Sequence, residues 1–126
     1  RVLGIEADAV LIEKAQRNAQ HNQIQNAEFR LANLYSPETP DPWGAERFDK
    51  CLLDPPRTGA AEVVKRLPAQ GGPRRILYIS CNPGTLARDS EVLVHTKGYR
   101  LVAAGVMDMF PQTSHVEAMA LFERPN

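Results

Sequence analysis

An excess of positive or negative charge is missing from this sequence. Fifteen Lys and Arg balance fifteen Asp and Glu over 126 residues. No net basic field announces nucleic acid, so an RNA contact has to come from a local patch or a partner domain. Cysteine is scarce: Cys51 and Cys81 stand in unrelated settings. That excludes a disulfide framework and a cysteine-rich metal cluster, and it makes a reducing, cytoplasmic compartment the default. One Trp, three Tyr and four Phe are too few for the stacking platform of a stand-alone RNA binder. No apolar run in these residues is long enough to span a membrane, and no signal peptide is expected. An initiator Met, an internal repeat and a low-complexity tract are also lacking. The chain opens at Arg1 straight into a strand-like segment and reads as a piece of a longer protein.

What is present is an ordinary globular balance, 43% hydrophobic and 24% charged, enough for one small domain. Residues 2–6 read as a strand ending in Glu6. Residues 8–22 read as an amphipathic helix with Val10, Leu11, Ala15, Asn18 and Ala19 on one face. Residues 28–31 alternate like a strand, and Asn33 follows at its carboxyl end. Pro37, Pro40, Pro42 and Gly44 make 35–46 a loop, with Trp43 expected to pack it down. Residues 48–53 form a strand that stops at Asp54-Pro55-Pro56-Arg57, because two prolines cannot continue a central strand. A short helix is expected over 59–67, with Val63, Val64 and Leu67 turned inward. A strand at 75–79 is followed by a helix from Pro83 to Thr96, stopped by Gly98. Residues 99–109 and 116–123 read as two strands close enough to form an antiparallel pair. The order β-α-β-β-α-β-α-β-β implies an α/β fold, with a mainly parallel sheet and right-handed crossovers.

The centre of this pattern is Ile76-Leu77-Tyr78-Ile79-Ser80-Cys81-Asn82-Pro83. Its apolar run is a buried strand, Asn82 is a good N-cap, and Pro83 suits a first helical position. Cys81 therefore sits at a strand's carboxyl end, just before a helix N-terminus. Open α/β sheets place ligands at that edge, and helix-end amides favour a thiolate over a thiol. The plainer alternative is a small, buried, inert cysteine.

Other polar residues share this kind of position. Glu6 ends a strand, where dinucleotide-type folds keep an acid for ribose hydroxyls; a solvated strand-end acid is the alternative. Asp54 is held at a sheet edge by two prolines that remove backbone donors, unless the segment is only a turn. Arg57 fits either a phosphate or a surface acid. Glu117 lies in the apolar run Val116-Glu117-Ala118-Met119-Ala120-Leu121-Phe122. A desolvated carboxylate becomes a base useful near neutral pH, whereas an outward-facing Glu on an edge strand would do nothing. His115 is either a second polar group in the cleft or a capped loop histidine.

Three spaced motifs coincide: LLDPPRTGA at 52–60, ISCNPGTLARD at 79–89 and DMFPQTSHVEAMALF at 108–122. Together they resemble the bacterial RNA 5-methyluridine methyltransferases over essentially the whole chain. Within that family the DMFP and ARDSE stretches look most like the 23S ribosomal RNA branch. The resemblance implies a Rossmann-like class I methyltransferase sheet that binds S-adenosylmethionine and acts on RNA. Cys81 matches the family nucleophile that adds to uracil C6, and Glu117 the base that removes the C5 proton. Asp54 matches the acid beside the uracil and the cofactor methyl. Glu6 matches the ribose-binding acid, and Asn33 the residue near the adenine. Covalent addition at C6 suits the chemistry, because uracil C5 is by itself a poor nucleophile. A base inside an RNA fold would have to be unstacked to reach Cys81.

Departures from the family pattern are equally informative. The glycine-rich first motif, the first strand and the amino-terminal RNA-binding domain have no counterpart here. Residues 1–126 are therefore expected to be the carboxyl-terminal part of one methyltransferase domain, inactive alone. An iron–sulfur cluster, which some members hold on cysteines, would lie in the parent chain outside these residues. The first strand normally lies between the strands at 2–6 and 48–53. Its loss leaves two edges that favour self-association unless those strands pair directly. The competing readings are an amino-group methyltransferase on a nucleic-acid base and a non-catalytic RNA- or nucleotide-binding module. The former uses an Asp/Asn-Pro-Pro motif usually followed by an aromatic residue, where Arg57 stands here.

Overall fold

The computed structural model describes residues 1–125 and divides into two compact units, Arg1–Glu46 and the chain from Arg47 onward. The first unit contains β1 (Val2–Glu6), α1 (Ala9–His21) and β2 (Ala27–Leu31). The two strands pair in parallel, Val2 opposite Ala27 through Glu6 opposite Leu31. A crossover helix is what joins such a pair. Helix α1 starts where expected because Asp8 caps it, its Oδ1 accepting from Val10 N–H at 2.7 Å and Leu11 N–H at 3.3 Å. It ends at Asn22, after which Gln23 takes a φ of 55°. The buried stripe differs from expectation. Ile12 and Ala19 face inward, while Val10 and Leu11 are 58% and 47% exposed. Ile12, Ala15 and Ala19 follow i, i+3, i+7 spacing, so the stripe runs through Ile12, and Val10, Leu11 and Asn18 fall outside it. The proline-rich loop is held to β2 by Arg30, whose guanidinium reaches Glu28, Glu46 and the Pro42 carbonyl.

The second unit contains β3 (Lys50–Leu53), α2 (Ala61–Arg66), β4 (Arg75–Ser80), α3 (Pro83–Glu91), a π-helical turn (Val92–Thr96), β5 (Arg100–Met107) and β6 (Glu117–Glu123). The sheet order is β3-β4-β6-β5. β3 and β4 are parallel, and β6 runs antiparallel to both β4 and β5. The expected antiparallel pair is therefore present, with β6 inserted between β4 and β5. β1 pairs with β2 and β3 with β4, in separate sheets.

Strand alternation builds the core. Ile76, Tyr78 and Ser80 of β4 and Ala118, Ala120 and Phe122 of β6 turn to one face, where Val63, Val64, Leu67, Leu93 and Tyr99 are also buried. Ile76, Tyr78, Val64, Leu93 and Phe122 have no exposed surface, and burying each such side chain contributes about 1.5–3 kcal/mol. The helix expected to run to Thr96 changes winding after Glu91. Lys97 N–H closes on Val92 O at 3.0 Å, an i→i+5 bond. Val92, Val94 and Thr96 are β-branched, which makes this stretch a poorer α-helix former, and Gly98 at φ +74° ends it. Among the described residues no helix is long and apolar enough to cross a membrane.

Candidate active site

In the second unit, the carboxyl edge of β3 and β4 gathers the polar residues singled out by sequence. Leu53 lies opposite Tyr78 in the parallel ladder, so Asp54 leaves β3 beside the last residues of β4. Cys81 follows β4 directly and is half-buried. Ser80 lies opposite Ala118 in the antiparallel ladder. Glu117, one residue earlier in β6, therefore reaches the same edge. Asp54, Cys81 and Glu117 share one end of one sheet. Glu117 is half-buried on the β6 face that carries Met119 and Leu121, and those two residues help line a shallow apolar hollow with Leu77, Ala103, Ala104 and Gly105. His115 is exposed in the preceding loop, its amide donating to Thr113 Oγ1 at 3.2 Å.

The Cys81 segment is rigidly built. Asn82 Oδ1 accepts from Gly84 N–H at 3.0 Å, capping α3 as its sequence predicts. Ser80 Oγ donates to Asn82 O at 2.8 Å and accepts from Asn82 N–H at 3.0 Å. The Asp54-Pro55-Pro56-Arg57 segment is tied to it. Asn82 Nδ2 and Thr85 Oγ1 both donate to Arg57 O at 3.2 Å. The Arg57 contribution is thus its carbonyl; its side chain is exposed.

Asp89, Arg88, Tyr78 and Gly59 lie within the quoted stretches, but sequence reasoning gave none of them a role at this edge. Asp89, 1% exposed, accepts from Ala60 N–H at 2.7 Å and from Tyr78 Oη at 2.6 Å through one carboxylate oxygen. Its other oxygen meets Arg88, whose Nη2 also donates to Thr58 O at 2.9 Å. Burial and the Asp89 carboxylate push the Tyr78 hydroxyl well above its ordinary range. Gly59, at φ +82°, leaves room for this cluster. The sequence trace was a glycine just before the N-cap of α2 and an Arg-Asp pair on α3. The other cysteine is a different case: burial pushes the Cys51 thiol up to about 11, which keeps it an inert thiol at neutral pH.

The first unit carries its own pair at the carboxyl edge of β1 and β2. Glu6 is exposed, and its Oε1 accepts from Ala7 N–H at 2.6 Å and Asp8 N–H at 3.0 Å. Asn33 is exposed two residues beyond β2, its Oδ1 accepting from Tyr35 N–H at 3.0 Å. These bonds orient both side chains. Glu6 keeps one carboxylate oxygen as an acceptor for hydroxyls, and Asn33 keeps its amide N–H groups as donors for ring nitrogens. That donor and acceptor set fits a nucleoside. No group of His, Cys, Asp and Glu among the described residues is arranged to hold a metal ion.

Comparison with known proteins gives this geometry a context. The family model described as tRNA (uracil-5-)-methyltransferase matches residues 44–125. The 23S rRNA (uracil(1939)-C(5))-methyltransferase RlmD of Thiobacillus denitrificans is 59% identical over 98% of this chain, and the enzyme of the same name from Xanthomonas axonopodis pv. citri is 52% identical over 98%. The chain spans 28% of the length of each of these relatives. Among solved structures, the Pyrococcus abyssi tRNA (uracil-54, C5)-methyltransferase in complex with S-adenosyl-L-homocysteine superposes with a TM-score of 0.79. It is 37% identical, and the match covers 97% of this chain and 28% of that one. The M. jannaschii TYW2 structure with AdoMet shares the Rossmann-like methyltransferase fold, with a TM-score of 0.64 at 15% identity over 98% of this chain and 57% of that one.

Proposed function

The chain belongs to the tRNA (uracil-5-)-methyltransferase family, and from that premise we propose that the protein carrying it methylates C5 of uridine in RNA, with Cys81 as nucleophile. The observation that carries the reading is the convergence of Cys81, Asp54 and Glu117 on one edge of the four-stranded sheet. S-adenosylmethionine supplies the methyl group when bound. Glu6 and Asn33 take its ribose hydroxyls and adenine; the donors and acceptors they leave available support this. Cys81 Sγ, as thiolate, forms a bond to uracil C6, and the C5=C6 electron pair moves into the C4 carbonyl as an enolate. That charge makes C5 nucleophilic. Asp54, fixed by its prolines, orients the uracil and the methyl donor. After methylation Glu117 takes the C5 proton, the C5=C6 bond re-forms and Cys81 leaves as thiolate. The identities of the 59% and 52% relatives support 23S rRNA as the substrate class over tRNA. A cytoplasmic location and self-association of these residues alone, through the outer edges of β1 and β3, belong to the same reading.

The test uses the full-length protein, since residues 1–126 are expected to be inactive alone. It is incubated with S-adenosylmethionine and RNA carrying 5-fluorouridine. Fluorine at C5 cannot leave as a proton, so the Cys81 adduct persists through denaturation and is mapped by mass spectrometry. An adduct on Cys81 supports the reading. Unmodified Cys81 alongside intact methylation of ordinary RNA refutes it.

A further inference from the structure

We propose that Asp89 is a positioning residue, holding the segment from Asp54 to Ala60 in register with Cys81. The inference rests on the uridine reading above. The segment is suspended between two anchors that meet on Tyr78. At its start, Leu53 pairs with the Tyr78 backbone. At its end, Ala60 N–H donates to the Tyr78 hydroxyl at 3.0 Å and to Asp89 Oδ2 at 2.7 Å. Tyr78 Oη in turn donates to the same Asp89 oxygen at 2.6 Å. Arg88 adds a third link, from Asp89 to the Thr58 carbonyl. In the middle, Arg57 O is held by Asn82 and Thr85, which flank the Cys81 helix start. Each fixed point of the loop thus refers back to β4 or α3, the two elements that carry Cys81.

A carboxylate is a costly way to fill space. Buried ion pairs are commonly replaced by apolar side chains of similar volume with little loss of stability. What an apolar side chain cannot do is accept two hydrogen bonds and a guanidinium at once. Helix α2 has no side-chain cap of its own, so Asp89 fixes where that helix begins and where the preceding loop must end. With Pro55 and Pro56 fixing φ at two positions, few degrees of freedom remain between that end and Asp54. Misplacement of a reacting group by about 1 Å can cost ~100-fold in rate, so loosening this anchor is read in the chemical step.

The experiment uses full-length wild type, Asp89→Asn and Tyr78→Phe. Long incubation with 5-fluorouridine RNA counts competent sites; single turnover on uridine RNA then gives the rate per counted site. The expected result is a fall of about tenfold or more in rate per site for Asp89→Asn and about threefold for Tyr78→Phe, with KM for RNA changed less than about twofold. Fewer competent sites at an unchanged rate per site would mean a merely structural role and would overturn the proposal. If Asp89→Asn gives no folded protein, Tyr78→Phe decides, since it keeps the carboxylate and removes one hydroxyl. A wild type that forms no adduct overturns the uridine reading and this inference with it, whereas normal wild-type adducts with unchanged variant rates overturn this inference alone.

Discussion

Replacing Gly59 by Ala should be far more damaging than an ordinary loop substitution, and the structure supplies its own control. Gly59 has a φ of +82°, and a Cβ there would lie 2.6 Å from Arg88 Nη2, 2.7 Å from Asp89 Oδ2 and 2.9 Å from Thr85 Cβ. Gly98 has a φ of +74° with nothing within 4 Å of its added Cβ. Both substitutions place an L side chain in the left-handed region, which costs about 1–2 kcal/mol. At Gly98 that is the whole effect. At Gly59 the Asp89 carboxylate must also give way, and loss of a buried hydrogen bond to a charged group costs about 1.5–3 kcal/mol more. Gly59→Ala is thus expected to destabilise by about 2.5–5 kcal/mol in total. The assay is urea unfolding followed by tyrosine near-UV signals. Tyr78 and Tyr99, both buried in the second unit, report its unfolding, whereas Trp43 lies in the first. Equal losses for Gly59→Ala and Gly98→Ala would refute the packing argument, because backbone conformation alone would then account for both.

Alkaline pH should destabilise the second unit. Burial raises the Cys51 thiol from 9.0 to about 11. Between those values the unfolded chain has released a proton that the folded chain retains, so stability is full below about pH 9 and is lost as pH rises toward 11. Tyr78 and Tyr99, both raised mainly by burial, continue the loss above pH 10. Urea midpoints across this range check the slope, and Cys51→Ala should flatten its first part while leaving the tyrosine part. In the first unit, Asp8→Ala removes the acceptor for Val10 and Leu11 N–H and should cost about 1 kcal/mol of helix stability. Exchange of the α1 amides measured by NMR should rise accordingly, and unchanged exchange would remove Asp8 from its capping role.

Legibility from sequence tracked how local the signal was. Cys81 and Asp54 stand beside residues that declare the backbone: Asn-Pro after a β run fixes a strand end and a helix start, and a double proline fixes a strand end. Glu117 was less legible, because the run around it is apolar on both faces and fixes no register; its role came from the resemblance, and its facing from the pairing of β6 with β4. The family motifs span the same three segments, so pattern and resemblance pointed to the same sheet edge. The buried face of α1 was misread because Val10, Leu11 and Ile12 are consecutive, and a 3.6 period does not say which of three neighbours centres the stripe. Asp89 lies within the motif at 79–89, but nothing local gives it a role. Its partners are 11 and 29 residues away, and a charged residue on a helix rich in polar side chains is assigned to solvent by any periodic reading. It is nevertheless the place where local rules fail twice: a buried carboxylate on α3 answers a helix, α2, that starts without a cap. Such paired violations are expected where a fold gives up local preference to hold a functional segment. The pair is visible only once Gly59 has brought Ala60 and Asp89 within 2.7 Å, so the same contact that hid Asp89 in the sequence is the reason to expect its loss to be felt at Cys81.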